Sequence, residues 1–539
     1  MSGTIGQDRL GLIPFWARRI LEIGDGAVGE AILRRTPDAQ VVTVKNLGDL
    51  VDQQTAELGL FDAIVLTTAL DASPLNRRNL TSLHDLLAPR GQLVASIKHA
   101  AHWREFARLL TLAPHEPRAL DGSGHGLTWP QAAALFEDCG LRIQTVRTYG
   151  SDQANAPDWL EQLSEVARAA GADANAFLAR VHIGAFLVRA ARTEVFPRPP
   201  VHLQIMAFAP KLLHSRTRLP AKALATDPDF VVDYSERPGS FTELPKDLAK
   251  IAVLQRVFYT REKLVRLVSY ARARGWLLVY EVDDHPELMA RALKQPDIAD
   301  RIEDTLSACH AVQTSTEELA GVIKGLNPEV HVFRNSVFDL PPWRPRAQVR
   351  RVFYGALNRG DYSAEVARAL SPAIQARPEL EFHVLHDRAF FEGLATPQKT
   401  FQPALDYPGY LRALEGCDVA LCPLEGAPAE MFKSDIKFLE LARSGAAAIA
   451  SPAIYGATIR AGETGLIATS MEEWTSHLLR LVDDPPFRNR ITRAAWEEVR
   501  AHRMAGPELF RLKDWYDSLI ERRGLIDDGL LQRRPDLQS

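Results

Sequence analysis

Short apolar runs alternate with stretches of helical periodicity along almost the whole chain. Runs such as Trp276–Tyr280, Val419–Leu421 and Ala446–Ala450 are continuously apolar, which is typical of parallel strands covered on both faces. The segments between such runs place apolar residues three and four positions apart, as amphipathic helices do. Strands that alternate with helices favour parallel sheets flanked by helices. The pattern therefore predicts an α/β protein.

Two proline-rich stretches divide this pattern into three series of strands and helices. Prolines in Phe196–Pro200 and Asp339–Pro345 remove backbone donors and are incompatible with regular structure. A chain of 539 residues is also too long for a single hydrophobic core. We therefore expect domains at residues 1–195, 196–345 and 346–526, followed by a frayed tail at residues 527–539.

Composition narrows the class of protein. Hydrophobic residues make up 46% and charged residues 24%, as in ordinary globular proteins, and the net charge of -4 provides no overall basic field for nucleic acid. No signal peptide and no apolar stretch long enough for a membrane-spanning helix is evident, although contact with a membrane surface stays open. Four widely spaced cysteines favour buried thiols in a reducing compartment: Cys139, Cys309, Cys417 and Cys422. We expect a cytoplasmic protein.

The first series begins with a nucleotide-type turn. Ile20–Gly29 is an apolar strand that runs into a GxGxxG turn, where glycines let the backbone approach an adenosine closely. Together with Leu60–Leu66, Leu86–Ser96 and Leu127–Ile143, this order and spacing resembles class I S-adenosylmethionine-dependent methyltransferases over about residues 15–192. The resemblance implies a Rossmann-like domain whose cofactor site contains Glu22, Gly24, Gly26, Gly29 and Asp62.

The second strand of this domain departs from the methyltransferase pattern. The family usually has an acidic residue there for the ribose of the cofactor, but this chain has Lys45 and Asn46, and lysine has no acceptor. Thr67–Pro74 also lacks the Glu-His pair often found in the family. Two interpretations stay open: a domain that has kept the fold and lost or altered cofactor use, which we favour, and methyl transfer to a sugar or lipid-linked glycan.

A charged row follows the strand at Val419–Leu421 in the third series. The helical spacing predicts a helix that starts at Lys433 and stops at Gly445, with Lys437 and Glu440 on the same face as Lys433. Beside them runs an apolar stripe of Phe432, Ile436 and Leu439. Lysines at a helix start suit a diphosphate, and Glu440 two turns on could accept two ribose hydroxyls. A solvated face with a Lys437–Glu440 pair, worth only about 0.2–0.5 kcal/mol, explains the same residues.

The stretch from Phe353 to about Val499 resembles the C-terminal lobe of GT-B glycosyltransferases. The likeness lies in the motif at residues 433–440, in Gly462–Ile467 and in Trp474, and points to the retaining, glycogen-synthase-like superfamily (group 1, family 4-like). It implies a GT-B fold of two Rossmann-like lobes that binds a nucleotide-sugar donor without a metal. By this resemblance, Gly355, Ser434, Lys437 and Glu440 hold the nucleotide sugar, and Arg359 and Lys433 neutralise the leaving diphosphate.

Two positions depart from the glycosyltransferase pattern. The superfamily often has a second glutamate eight positions before Glu440, where this chain has Phe432, and Glu430 is the nearest substitute. The usual spacing of an arginine and a lysine near Arg359 is absent. These departures bear on the contacts to the sugar ring and on the stabilisation of the leaving group.

One predicted strand of the second series is followed by two acidic residues. Asp283 and Asp284 invite comparison with the metal-binding DxD motif of the other large glycosyltransferase fold, but the intervening residue is missing and the GT-B fold works without a bound divalent ion. We therefore favour a structural or acceptor-side role. His285 is a candidate base, although a loop histidine with no role is favoured. We expect the helix around residues 509–522 to pack back toward the second domain.

The sequence therefore predicts a glycosyltransferase that moves a sugar from a nucleotide sugar to a glycan or lipid-linked acceptor. The methyltransferase-like fusion suggests bacterial surface polysaccharide assembly, such as that of O-antigen. Two alternatives stay open. One is an S-adenosylmethionine-dependent methyltransferase that uses the GT-B half for glycan recognition. The other is a catalytically silent binding protein.

Overall fold

The computed structural model describes residues 8–47, 58–67, 76–104, 107, 127–150, 156–194, 199–208, 214–236, 240–356 and 360–538. They form two compact units, Met1–Arg198 with Ala225–Asp229, and Pro199–Leu224 with Phe230–Ser539. Within the part of the chain that the structure describes, no helix has the length and apolar content needed to span a bilayer.

The first unit is built around a six-stranded sheet in the order β2-β1-β3-β4-β6-β5. β1 to β4 pair in parallel, whereas β6 runs antiparallel to both of its neighbours. The strands are β1 Arg19–Ile23, β2 Gln40–Val44, β3 Phe61–Leu66, β4 Leu87–Lys98, β5 Leu141–Tyr149 and β6 Ala185–Arg192. The helices are Ala27–Arg35, Arg77–Leu86, Trp129–Asp138, Trp159–Ala169 and Ala174–Val181.

The second unit contains two sheets, and the one nearer the N-terminus defines its first lobe. Six parallel strands lie in the order β12-β11-β10-β9-β7-β8. They are β7 Val201–Ala207, β8 Phe230–Ser235, β9 Lys250–Gln255, β10 Leu277–Glu281, β11 Ala311–Thr314 and β12 Val330–Val332. The helices are Arg218–Leu224, Arg261–Ala273, Pro286–Leu293, Asp297–Ala308 and Glu317–Ile323. Every residue of the central strands β9 and β10 is buried, because helices cover both faces.

The other sheet defines the second lobe, again with six parallel strands, in the order β15-β14-β13-β16-β17-β18. The strands are β13 Arg351–Gly355, β14 Glu381–Leu385, β15 Lys399–Gln402, β16 Val419–Cys422, β17 Ala447–Ala450 and β18 Leu466–Ile467. The helices are Gly360–Ala369, Ser371–Ala376, Arg388–Gly393, Tyr407–Glu415, Ile436–Ser444, Met471–Asp483 and Pro485–His502. The predicted α/β class with parallel sheets is confirmed.

The helices after the second lobe return to the first. In Ala505–Glu521, the Tyr516 hydroxyl donates to Gln313 Oε1 at 2.8 Å and the Trp515 indole donates to Glu329 at 3.2 Å. Gln313 lies in β11, and Glu329 directly precedes β12. The prediction that this helix packs against the second domain is confirmed by these contacts.

The frayed tail predicted at residues 527–539 is wrong for the described residues up to Gln538. A helix, Arg523–Arg533, and a 3₁₀ turn, Pro535–Leu537, continue the chain along the first lobe. Leu530 and Leu537 are fully buried in its core, and Asp527 pairs with Arg272 at 2.7 Å. The prediction followed the polar residues of this segment and overlooked Leu530 and Leu537, which are spaced to reach that core.

Replacing Leu530 with alanine should therefore lower the free energy of unfolding of the second unit by about 2–5 kcal/mol, because a fully buried leucine leaves a cavity. Leu525 on the same helix is 73% exposed, so its replacement by alanine should change stability by less than about 0.5 kcal/mol. Urea unfolding of both variants checks this. Equal effects of the two substitutions would contradict the docking of the tail.

Candidate functional site

The predicted charged row is interrupted before its helix begins. A 3₁₀ turn, Pro428–Phe432, precedes the helix Ile436–Ser444, and Lys433 between them has extended backbone angles, φ -70 and ψ 153. The prediction that Lys433 starts the helix is wrong, so the helical face carries only Lys437 and Glu440. Asp435 occupies the N-cap position and pairs with Arg503 at 2.6 Å. Asp435 belongs to a residue type that favours helix N-caps, and this was the signal for the later start.

Glu440 lies inside the second lobe. Its residue is 6% exposed, and its carboxylate accepts a hydrogen bond from the Tyr410 hydroxyl at 2.9 Å and a second one from Tyr407. Burial raises the pKa of Glu440, while Lys437 and the two phenols act in the opposite direction. Burial and the neighbouring Glu440 also raise the pKa of both tyrosines well above its usual value. Sequence reasoning missed both tyrosines.

Lys437 joins this helix to the end of β13. Its ammonium donates a hydrogen bond to the carbonyl oxygen of Gly355 and lies 5.9 Å from the centre of the Tyr410 ring. A Cβ atom at Gly355 would come within 2.6 Å of the Phe353 ring, so any larger residue there would force this ring to move. The structure therefore brings together three of the predicted nucleotide-sugar residues: Gly355, Lys437 and Glu440.

The side chain of Ser434 in the second lobe is hydrogen-bonded to a residue of the first lobe. Its hydroxyl oxygen accepts a hydrogen bond from the Asn335 side-chain amide at 2.6 Å, which leaves the hydroxyl proton for another acceptor. Asn335, three residues beyond β12, also accepts from Arg216 at 3.4 Å through its side chain and from Arg503 at 3.2 Å through its carbonyl. The orientation of Ser434 is thus set by Asn335, which contacts with Arg216 and Arg503 hold in place.

Lys433 makes an ion pair between the lobes. Its ammonium lies 3.0 Å from Asp284 Oδ1, and Asp284 Oδ2 accepts from Arg256 at 2.9 Å. Arg256 also pairs with Asp283 at 3.0 Å. The nearby cations lower the pKa of Asp284 against the effect of burial. Asp283 and Asp284 therefore have guanidinium and ammonium partners, and no group of three or more His, Cys, Asp or Glu in the described ranges could hold a metal ion.

Phe432 and Glu430 have structural contacts in this turn. Phe432 packs against the core of the first lobe and stacks on His285, with ring centres 4.8 Å apart. The Glu430 carboxylate accepts from the backbone of Gly426 and Ala427 at 3.0 and 3.3 Å. Glu430 therefore stabilises its own turn. His285 caps the helix Pro286–Leu293 by accepting from Glu287 N at 3.3 Å.

A second aromatic pair lies beside Glu440. His214 of the first lobe stacks on Tyr407, with ring centres 4.9 Å apart. Because Tyr407 donates to Glu440, the first lobe reaches the candidate ribose ligand through one intervening side chain. The other predicted catalytic residue, Arg359, lies outside the described residues, so its role stays a prediction.

The backbone that follows the glycine turn of the first unit donates hydrogen bonds to the side chain of Glu22. Glu22 is fully buried and accepts from the backbone of Val28 at 3.1 Å and Gly29 at 2.6 Å. Gly24 and Gly26 have positive φ angles of 148° and 84°, which favour glycine. Lys45 is exposed just after β2. The roles of these residues toward S-adenosylmethionine stay predictions.

Asp62 does not lie near the glycine turn. Its carboxylate accepts from the backbone N–H groups of Arg18 and Arg19 at 2.8 and 2.9 Å, at the start of β1. The glycine turn follows the end of β1, and parallel strands keep these two ends on opposite edges of the sheet. The prediction that Asp62 joins the cofactor site is therefore wrong, because its position in β3 faces the amino edge.

All four cysteines are buried free thiols, as expected from their spacing. Burial raises the pKa of Cys309 and of Cys417 to about 12, which keeps both thiols protonated. They contribute no nucleophile to the site.

Residues 363–505 match the family described as "Glycosyl transferase-like". No curated protein matches the sequence. The solved structures that resemble the chain at low identity include TarM, HepE and sucrose-phosphate synthase. TarM of S. aureus is 12% identical over 50% of this chain and 55% of its own, with a TM-score of 0.38. HepE from Anabaena, solved with UDP and glucose, is 12% identical over 59% of this chain and 100% of its own, with a TM-score of 0.42. Sucrose-phosphate synthase from Thermosynechococcus elongatus is 14% identical over 60% and 99%, with a TM-score of 0.41.

The chain spans about half the length of TarM, with 55% of that protein covered. The family match covers the helix Ile436–Ser444, and with it Lys437 and Glu440, as well as Lys433 and Ser434. Residues 363–505 are thus similar in sequence to a glycosyltransferase-like family, within the stretch from Phe353 onward for which the resemblance was predicted.

Proposed function

We propose that the second unit transfers a sugar from a nucleoside diphosphate sugar, held by the second lobe, to a glycan or lipid-linked acceptor at the first lobe. The observation that carries this proposal is the buried carboxylate of Glu440, which two phenols orient beside Lys437 at the end of β13. Ligands of parallel α/β sheets bind at the carboxyl ends of the strands. The family match over residues 363–505 supports the same function.

The ribose is assigned to Glu440. A carboxylate has about four acceptor positions, and the hydroxyls of Tyr407 and Tyr410 occupy two of them. The remaining positions suit the two neighbouring hydroxyls of a ribose, each of which would form a charge-assisted hydrogen bond. The phenols hold the carboxylate in place before the ligand arrives, so little side-chain entropy is lost on binding.

The diphosphate is assigned to Lys433, Ser434 and Lys437, next to Gly355. Cleavage of the bond between sugar and diphosphate builds negative charge on the leaving oxygen, which cations and hydroxyl donors stabilise. Lys437 supplies an ammonium, and Ser434 keeps its proton free because it accepts from Asn335. Arg359 is proposed as a further cation in the same role. These groups need no divalent ion to neutralise the leaving group.

The acceptor is assigned to the carboxyl edge of the first lobe, where Asp283 and Asp284 follow β10. Closure of two lobes around the donor would exclude water and protect the activated sugar from hydrolysis. A predicted methyltransferase-like unit on the same chain motivates the narrower proposal that the acceptor belongs to a bacterial surface polysaccharide such as O-antigen. This narrower proposal rests on association alone.

Substituting Lys437 with alanine should weaken the binding of nucleoside diphosphates about 10-fold or more, because one charge-assisted contact worth about 1.5–3 kcal/mol is lost. Binding of the parent nucleosides, which have no phosphate, should change less than about twofold. Calorimetric titration of UDP, ADP, GDP and CDP and of their nucleosides measures both. The nucleotide that binds tightest then selects the nucleotide sugars for a transfer assay.

Arg368 provides the matched control, since it is an exposed cation on the helix Gly360–Ala369 of the same lobe. Its replacement by alanine should leave all affinities unchanged. The proposed function is rejected if the wild-type protein binds none of the four diphosphates. The assignment of Lys437 is rejected if nucleosides and diphosphates lose affinity equally.

A further inference from the structure

We propose that Asp284 is an internal substitute for the donor's diphosphate: it occupies Lys433 in the donor-free protein and is displaced when the nucleotide sugar binds. This inference rests on the function proposed above. It assigns to Asp284 a positioning role at the donor site, although Asp284 belongs to the lobe that holds the acceptor.

Asp284 belongs to a cluster of two carboxylates and two cations. Arg256 contacts both acids through the same terminal nitrogen, at 3.0 Å from Asp283 and 2.9 Å from Asp284. With Lys433 at 3.0 Å, two carboxylates face two cations. If Lys433 moved away, Asp284 would keep a guanidinium partner. Release of Lys433 therefore leaves no carboxylate without a cation.

The ion pair between Lys433 and Asp284 is accessible from solvent. The side chains of Lys433 and Asp284 are 23% and 25% exposed, so an anion from solvent can reach the ammonium. By contrast, the pair between Arg216 and Glu281 in the same lobe is 2% and 0% exposed and is closed to any competitor. An ion pair of intermediate exposure is held firmly enough to be ordered and weakly enough to exchange.

Lys433 lies between two residues that contact the first lobe. It directly precedes Ser434, whose hydroxyl proton is free for an acceptor, and it follows Phe432, which is anchored in the first lobe. The carbonyl of Phe432 accepts from Thr316 at 3.1 Å. Phe432 and Ser434, on either side of Lys433, are therefore both held by contacts with the first lobe, so only the lysine side chain has to swing from Asp284 to the diphosphate.

A diphosphate is a stronger ligand for Lys433 than the carboxylate of Asp284. A diphosphate carries more negative charge than one carboxylate and offers several oxygens, so it can bind Lys433, Lys437 and Ser434 together. The exchange swaps one ion pair for several contacts. Its consequence is that donor binding removes one contact between the lobes, while the Thr316 and Asn335 contacts remain.

A double-mutant cycle between Asp284 and Lys433 tests this inference. The Asp284→Asn variant frees Lys433 and should bind UDP, ADP or GDP, and also inorganic pyrophosphate, about 10-fold more tightly than the wild type. In a Lys433→Ala background the same substitution should have no effect on affinity. Pyrophosphate is the base-independent probe, and calorimetric titration gives all the dissociation constants.

Asp283→Asn is the matched control. It removes the same charge one residue away and loses the same Arg256 partner, but Asp283 does not touch Lys433 in the described structure. Its effect on diphosphate affinity should stay below about twofold. Thermal unfolding of each variant, recorded alongside, shows whether it is folded.

The outcomes separate the two claims. A gain in affinity for Asp284→Asn that disappears without Lys433 supports the exchange. Diphosphate binding by the wild type with no gain, or a loss, in folded Asp284→Asn overturns the inference and leaves the proposed function standing. An equal gain in Asp283→Asn also overturns it, because general electrostatics would then explain the effect. Absence of binding in the wild type and in all variants overturns the proposed function and this inference with it.

Discussion

Replacing Glu440 with alanine is expected to abolish the preference of the protein for ribonucleoside diphosphates over their 2′-deoxy counterparts. In the wild type, each hydroxyl bonded to the carboxylate contributes about 1.5–3 kcal/mol, so a ligand that lacks one hydroxyl should bind about 10-fold or more weakly. Alanine has no acceptor, and both ligands should then bind equally weakly. Calorimetric titration with UDP, ADP and GDP and with the matching deoxynucleotides measures this discrimination.

Two further variants separate the contact with ribose from damage to the fold. Alanine at position 440 leaves the buried hydroxyls of Tyr407 and Tyr410 without their acceptor, at a cost of about 1–3 kcal/mol each. Glu440→Gln keeps one acceptor oxygen and nearly the same volume, so it should fold normally and retain part of the discrimination. Glu379 is exposed on the same lobe, and Glu379→Ala should change neither quantity. Unaltered discrimination in Glu440→Ala would exclude Glu440 from the ribose site.

Replacing Glu281 with alanine is expected to destabilise the second unit by about 3–5 kcal/mol, the largest effect on stability that we predict. Glu281 is fully buried, and its oxygens lie 2.8 and 3.2 Å from the guanidinium of Arg216. Without the carboxylate, the guanidinium stays buried with carbonyl and amide partners alone and its charge is uncompensated. Urea unfolding followed by tryptophan fluorescence measures the change.

The control for this substitution is an exposed pair in the same lobe. Arg266 and Glu262 lie 2.8 Å apart with side chains 70% and 80% exposed, so Glu262→Ala should cost less than about 1 kcal/mol. Removing both charges of the buried pair, as Arg216→Met with Glu281→Leu, should recover part of the stability. A loss below about 1 kcal/mol in Glu281→Ala would show that the buried pair contributes little to the fold.

The parallel sheets could be predicted from the sequence because buried strands leave a direct record. Trp276–Tyr280 and Ala446–Ala450 are continuously apolar, and the structure places β10 and β17 there, covered on both faces. The helix with Lys437 and Glu440 was likewise predictable, since periodicity and Gly445 mark its body and its end. Local patterns of this kind do not depend on distant parts of the chain.

The partners of the site residues could not be predicted, because they lie far away in sequence. Lys433 meets Asp284 across 149 positions, and Ser434 meets Asn335 across 99. Tyr407 and Tyr410 have the spacing of ordinary core residues in a helix, and only the packing of that helix brings them to Glu440. The prediction for Asp62 was wrong because the sequence shows only that an acidic residue lies near one end of a strand. It does not show that this end is on the edge of the sheet opposite the glycine turn.

The docking of the final helix also constrains when the protein can finish folding. The core of the first lobe includes Leu530 and Leu537, although the rest of that lobe is synthesised some two hundred residues earlier. During translation, the first lobe must wait with an incomplete core while the second lobe emerges and folds. Because Leu530 and Leu537 follow the whole second lobe in sequence, chains truncated before Leu530 should be prime targets for chaperones and proteases.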